Sequence, residues 1–326
     1  MSSSIVSALN FASSEVTIYL GTPLLLTGLI GGIFNMIVFL SLQTFRQNSC
    51  AFYMIVMSCA NIGQLLMGLL SRLVITGFNV DWTVQSVFYC KFRIFMLYIC
   101  SLISLSSMCL MTIDQYMATS SHPHWQQWSN IKIARRLLAV VVTIWILHAI
   151  PTLIYFDYVV SSTTGVITFT STSAIYQQYY TYGYVLSLLG VVPAFITVVF
   201  GCLAYQNVRQ LSHRILPLIR RQLDKQLTTM VLLQVIFNFF ALVPPLITTI
   251  LLLQNNLIKD PVILAQIQLA NYTSFIPYYF YFASPFYIYI CVSQRFRQQF
   301  FYVIFGIHLK RFRRPRIIIN QVLPEA

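Results

Sequence analysis

Apolar residues run along this chain in long blocks, and polar residues are confined to the short intervals between them. Seven blocks reach the length of about 20 predominantly apolar residues that a helix needs to cross a bilayer core. They predict helical spans at 17–42, 50–76, 87–114, 134–156, 180–206, 226–254 and 262–292. Prolines sit inside the later blocks (Pro151, Pro193, Pro244, Pro245, Pro277, Pro285). A membrane bundle tolerates them, because neighbouring helices and hydroxyl side chains take up the freed carbonyls. After the seventh block, "SQRFRQQFFYVIF" sets Arg295 and Arg297 against Phe296, Phe300, Phe301 and Phe305. That pattern predicts a short amphipathic helix lying along a membrane face. Between spans four and five, "VVSSTTGVITFT" alternates around Gly165 and predicts a β-hairpin. The expected fold class is an all-α membrane protein, a seven-transmembrane helix bundle over 17–292. An extracellular tail precedes it at 1–16, and the amphipathic helix with a basic cytoplasmic tail follows at 293–326.

Composition supports this layout. The 326 residues are 58% hydrophobic and only 8% charged, against about a quarter charged in soluble domains. Mean hydropathy is +0.74. The net charge of +13 raises the question of nucleic acid, but the basic residues lie in short clusters beside apolar blocks, as membrane topology requires, with no separate basic arm. Sixteen of the twenty Lys and Arg residues fall on one side of the threaded chain, which predicts the N-terminus outside and the C-terminus inside. The tail "HLKRFRRPRIII" would add attraction to anionic lipids. The first span has no basic region before it and no cleavage site, so it is expected to serve as its own insertion signal.

Catalytic chemistry finds few candidates. The seven acids (Glu15, Asp81, Asp114, Asp157, Asp224, Asp260, Glu325) all fall at membrane edges, loops or tails. Proton and ion paths usually place carboxylates within the membrane. His122 and His124 form the only close histidine pair, and nothing nearby completes a tetrahedral metal set. No enzyme activity, cofactor or metal is expected.

Several motifs, in order, carry a resemblance to the rhodopsin-like (class A) G-protein-coupled receptors. Asn35 closes "GGIFN" in span one. Cys90 opens span three, and "IDQYMA" ends it 24 residues later with Asp114, Gln115 and Tyr116. Trp82 lies in the first loop, Trp145 in span four and Pro193 in span five. Span seven ends "SPFYIYICVSQRF", similar to the family's Asn-Pro-x-x-Tyr motif, here Ser284, Pro285 and Tyr289. The resemblance covers nearly the whole chain. It implies a plasma-membrane location, an extracellular ligand, a heterotrimeric G protein as partner, and a conformational switch between them involving these residues.

Departures from the family pattern are equally specific. Gln115 replaces the motif Arg. A glutamine donates hydrogen bonds but forms no charge-assisted fork, so a looser latch beside Asp114 is expected. Otherwise Asp114 and Gln115 merely mark the membrane boundary. Asn61 and Ser284 stand where the family has charged and amide groups of a sodium site, and neither carries the charge a hard cation prefers. Leu242 and Val243 precede Pro244 and Pro245 where an aromatic switch is usual, leaving the prolines a helix-bending role. Cys90 lacks its expected partner, because no cysteine occurs between Cys109 and Cys202 and Phe169 lies near the partner's place. The other cysteines read as small apolar filler within the spans.

For ligand recognition, Leu97 occupies the level at which an amine receptor would carry an acid, which argues against a biogenic amine. Arg72 and Arg93, with Leu97 and Tyr98 a turn below, instead offer guanidinium groups for a carboxylate, sulfate or peptide carbonyl. The alternatives are headgroup snorkelling or a pair with Asp81. The predicted hairpin and the aromatic "YTSFIPYYFYF" of span seven resemble invertebrate neuropeptide receptors of the FMRFamide type, so a short peptide is the expected ligand. A small chemosensory molecule, or a silent scaffold-like receptor, remains open. The sequon at Asn271 lies close to the expected bilayer.

Overall fold

The computed structural model describes residues 2–41, 43–78, 80, 86–160, 167–211, 218–253 and 261–309. Each predicted apolar block is helical over its described residues, apart from the break at Ser284 and the terminal Phe156. Span one runs Ser2–Ser41, span two Ser49–Gly77, span three Val87–Thr119 and span four Ile131–Tyr155. Span five covers Ala174–Gln210 and span six Leu218–Leu253. Span seven consists of two helices, Pro261–Ala283 and Pro285–Val292, bent by 59°. An eighth helix, Gln294–Phe301, follows where the amphipathic pattern predicted it. Together these elements form the seven-transmembrane all-α bundle expected from the apolar pattern.

Local chemistry explains where several of these helices begin. Asn48 Oδ1 accepts from the Ala51 N–H at 3.0 Å, Ser86 Oγ from Tyr89, Asn130 Oδ1 from Lys132 and Ser173 Oγ from Tyr176. Each satisfies an amide that the first helical turn leaves without a partner. Span one begins at Ser2 rather than near residue 17. No proline or glycine interrupts residues 2–16, and Ser14 Oγ donates to the Gly77 carbonyl at 2.8 Å, tying the extension to the end of span two.

The bend in span seven also has a local cause. Pro285 has no N–H to give the Tyr281 carbonyl four residues earlier. Ser284 Oγ donates to that carbonyl instead, at 3.2 Å, so the helix breaks without leaving a stranded acceptor. Span five widens to π-helical turns over Tyr179–Val191 just before Pro193, and span two does so over Leu65–Leu70 and Leu73–Gly77. Pro244 and Pro245 lie within one unbroken helix.

Span three is the axis of the bundle and contacts spans two, four, five and six; span one packs between spans two and seven. Trp145 Nε1 of span four donates to Ser106 Oγ of span three at 2.8 Å. Phe39, Phe45, Tyr289 and Phe296 form an aromatic cluster where spans one and seven meet the eighth helix. Ile144, Ile154, Phe195, Phe240 and Ile247 face outward. Such an apolar surface would invite association in water, whereas hydrocarbon solvates it.

Spans one and seven approach closely at Gly28. A Cβ there would lie 2.7 Å from Leu65 Cδ1 and 2.8 Å from Ala283 Cβ. Gly28→Val is therefore expected to cost about 1–3 kcal/mol through overpacking. The melting temperature of the detergent-purified protein should fall accordingly. An unchanged melt would show that the two spans separate freely.

Strands β1 (Phe156–Val160) and β2 (Ile167–Ser171) pair antiparallel, from Phe156 opposite Ser171 to Val160 opposite Ile167. This is the predicted hairpin, and it marks one end of the bundle. Asp114 marks the other. Gly165, Asp81 and Trp82 lie outside the described residues.

Candidate functional site

Beneath the hairpin, spans two, three, five, six and seven enclose a cavity of about 270 Å³. Arg72, Arg93, Leu97 and Tyr98, the four residues singled out from sequence, all line it. Arg72 lays its guanidinium over the Phe275 ring at 3.6 Å and near Tyr272 at 5.6 Å. Arg93 Nε donates to the Met67 carbonyl at 3.2 Å. Neither has a carboxylate partner among the described residues, so each offers remaining N–H donors toward the cavity. Tyr98 stacks on Tyr184 of span five at 3.5 Å, and Tyr180 and Phe156 of β1 continue that wall.

The polar floor escaped the sequence reading. Gln64 Nε2 donates to the Tyr278 hydroxyl at 3.2 Å, and Ser101 Oγ lies 3.4 Å from the same oxygen. Spans two, three and seven thus meet on one hydroxyl. A glutamine inside an apolar block was the available signal, since buried polar groups normally hold partners. Leu242 and Pro245 of span six close the cavity beside this floor. Asn271, the sequon residue, is buried and donates to Thr248 Oγ1 at 3.1 Å.

The hairpin is tethered without a disulfide. Cys90 is buried, and none of the seven cysteines is disulfide-bonded. Beside it, Lys91 Nζ lies 3.2 Å from Asp157 Oδ2 of β1. The Tyr158 N–H and Lys91 both donate to Asp157 and hold its carboxyl below the usual carboxylate range. A depressed carboxylate stabilises the fold above its unfolded pKa of about 3.9 and loses that contribution as pH falls through the lower folded value. Amide exchange in β1, after correction for the intrinsic pH dependence, should therefore accelerate below about pH 4. Asp157→Asn should remove that acceleration.

At the opposite end, Asp114 turns away from its neighbour. Both of its carboxylate oxygens accept from Ser49 Oγ of span two, at 2.7 and 2.8 Å, and Ser49 Oγ lies 3.2 Å from Ser129 Oγ. Gln115 Oε1 accepts from Thr228 Oγ1 of span six at 2.9 Å. A neutral hydrogen bond thus joins spans three and six, where only a looser latch was expected. Tyr116 sets its ring against Phe200 and Trp125, and its carbonyl accepts from Asn207 at 3.4 Å. Tyr289 is fully buried against Phe39 and Phe296, with no hydrogen-bond partner for its hydroxyl among the described residues.

Between the two ends lies an uncharged polar layer. Asn61 Oδ1 accepts from Ser104 Oγ at 2.6 Å, and Ser104 Oγ lies 3.4 Å from the Tyr281 hydroxyl. Ser284 does not join Asn61, because its hydroxyl is spent on the Tyr281 carbonyl. Asn35 is buried in span one, and its Oδ1 finds no partner among the described residues. The Pro193 carbonyl accepts from Thr197 Oγ1 at 2.7 Å within span five. Tyr281 is the link that the sequence motifs did not indicate.

The architecture is a lined cavity at one end, a hydrogen-bonded pair of spans at the other, and a neutral layer between. No curated protein matches the chain. Residues 33–294 match the family model described as 7 transmembrane receptor (rhodopsin family), and the chain therefore belongs to the rhodopsin family of seven-transmembrane receptors.

Proposed function

We propose that this receptor sits in the plasma membrane with its N-terminus outside, binds a short peptide through the cavity beneath the hairpin, and signals to a heterotrimeric G protein at the Asp114 end. The observation that carries this reading is the placement of Arg72 and Arg93 on one cavity with aromatic walls. A guanidinium held over Phe275 is fixed in direction and recognises a carboxylate or peptide carbonyl through parallel donors. The hairpin then covers the rest of the peptide. Leu97, at the cavity wall, gives an ammonium ligand nothing to pair with.

Ligand binding shifts a pre-existing equilibrium by its differential affinity for two helix arrangements. Spans three and six are the natural moving pair, because a neutral hydroxyl–amide bond joins them at Thr228 and Gln115. Asn35, Asn61, Pro193, Ser284, Pro285 and Tyr289 would form the path between cavity and latch. The basic C-terminal tail would contact membrane lipids. Neither nucleic acid nor a cofactor has a part in this reading.

A small chemosensory molecule is the second reading, and the cavity volume favours it. About 270 Å³ lies just below the usual 300–1,000 Å³ of ligand pockets, room for a small organic acid or a single peptide terminus. The deciding experiment expresses the chain with a panel of G-protein reporters and applies acidic small molecules and C-terminally free or amidated peptides. Activation by a peptide supports the first reading, and activation by small acids alone supports the second. Silence in both the natural chain and Gln115→Arg, at confirmed surface expression, would favour a scaffold-like receptor.

A further inference from the structure

A second, larger hollow lies outside the bundle, between spans five and six toward the Asp114 end. It encloses about 1,010 Å³, and Val198, Gly201, Cys202 and Tyr205 face Leu232 and Ile236 across it. We propose that this crevice is a binding site for one anionic glycerophospholipid, with an acyl chain along the groove and the phosphate at Arg209.

Three observations support that occupant over others. First, the crevice opens sideways into the surrounding medium, since Val198, Cys202, Tyr205, Leu233 and Ile236 are all exposed. In a bilayer that medium is hydrocarbon, and an unfilled hollow would forfeit dispersion contacts along its lining. Second, its length matches one leaflet. From Thr197 to Arg209 the helix rises about 18 Å, against about 15 Å for half of a typical hydrocarbon core. A smaller apolar hollow of about 200 Å³ continues between the same spans past Thr197 and Val198 toward Gly190, giving a longer chain somewhere to go.

Third, polarity changes along the groove as it does along a lipid. The deep end is Val198, Val235 and Ile236, whereas the mouth holds Gln206, Thr229 and Arg209. An arginine has five donors in a flat fork, so it can take a phosphate while keeping a contact within the protein. Arg209 makes this end of the groove positive, which a phosphate complements and a neutral sterol does not.

The site also touches the latch. Thr228 lines the crevice on one side and donates to Gln115 on the other. A chain seated there packs behind the residue that joins spans three and six, so lipid occupancy and the separation of those spans are linked. On the span-five side, a Cβ at Gly201 would stand 3.3 Å from Leu232 Cδ2. The two spans therefore touch at the floor of the crevice, and the hollow lies outside that contact.

The test reconstitutes the full chain in nanodiscs containing phosphatidylserine or phosphatidylcholine with a photoactivatable acyl chain, then maps crosslinked peptides by mass spectrometry. Crosslinks should concentrate on 197–209 and 228–236, severalfold more with phosphatidylserine. Arg209→Gln should equalise the two lipids. Cys202→Trp or, from the facing wall, Ile236→Trp should abolish crosslinking with both, at unchanged helical circular dichroism. Crosslinks spread evenly over all spans, equal yields for the two lipids in the natural chain, or displacement by a sterol rather than by phosphatidylserine would each overturn the assignment. None of these measurements uses a ligand or a G protein, so they stand apart from the receptor reading.

Discussion

Arg72→Glu should raise the concentration of an acidic ligand required for half-maximal response by roughly thirtyfold or more. That corresponds to about 2 kcal/mol, the lower end of what is lost when a buried hydrogen-bonded charge pair is broken across an interface. The guanidinium is held over Phe275 at 3.6 Å, so it is positioned before the ligand arrives, and reversal puts a carboxylate against the ligand's own. Arg93→Glu should act in the same direction, because its Nε–Met67 anchor leaves the rest of the fork facing the cavity. Arg72→Lys should lose less: charge is kept while the flat fork and ring stacking are lost. Dose–response curves at matched surface expression make the measurement. An unaltered potency in both reversals would remove these arginines from ligand recognition and leave them as headgroup anchors.

Thr228→Val should raise ligand-independent signalling by about tenfold. The substitution preserves shape but removes the donor to Gln115 Oε1, 2.9 Å away in a buried setting. Leaving a buried acceptor without a partner costs about 1–3 kcal/mol, and 1.4 kcal/mol is a factor of ten in a two-state population. If the bond belongs to the resting arrangement, its loss favours the open one. Basal reporter output in the absence of ligand, normalised to surface receptor, tests this. An unchanged baseline would mean that the bond is equally strong in both arrangements and gates nothing.

Long contiguous apolar blocks, which burial in lipid imposes, were enough to place seven spans, while alternation around a turn placed the hairpin and an amphipathic pattern the eighth helix. The start of span one was not legible. Hydropathy falls off before residue 17, while the helix continues to Ser2 through backbone hydrogen bonds and the Ser14–Gly77 tie. The charged wall of the cavity could be read from Arg72 and Arg93, since charges near an apolar block need a reason. Its neutral floor was signalled only by Gln64, a glutamine inside an apolar block. Gln64, Ser101 and Tyr278 are far apart in sequence and meet only through the fold.

The Thr228–Gln115 bond hid for a related reason. Ser and Thr within helices often bond to carbonyls of their own turn, as Thr112 does with Met108 and Thr119 with Gln115. Nothing in the sequence separates those from Thr228, whose hydroxyl reaches across to another span. Asp114 followed the motif in position but not in partner, because Ser49 was near enough to take both of its oxygens.

The neutral layer of Asn61, Ser104 and Tyr281 has a consequence for how such a receptor behaves in an excitable cell. A unit charge carried across the whole membrane field couples to about 2.3 kcal/mol per 100 mV, and these three side chains carry none. Rearranging them moves no gating charge, so this step of the transition should be indifferent to depolarisation.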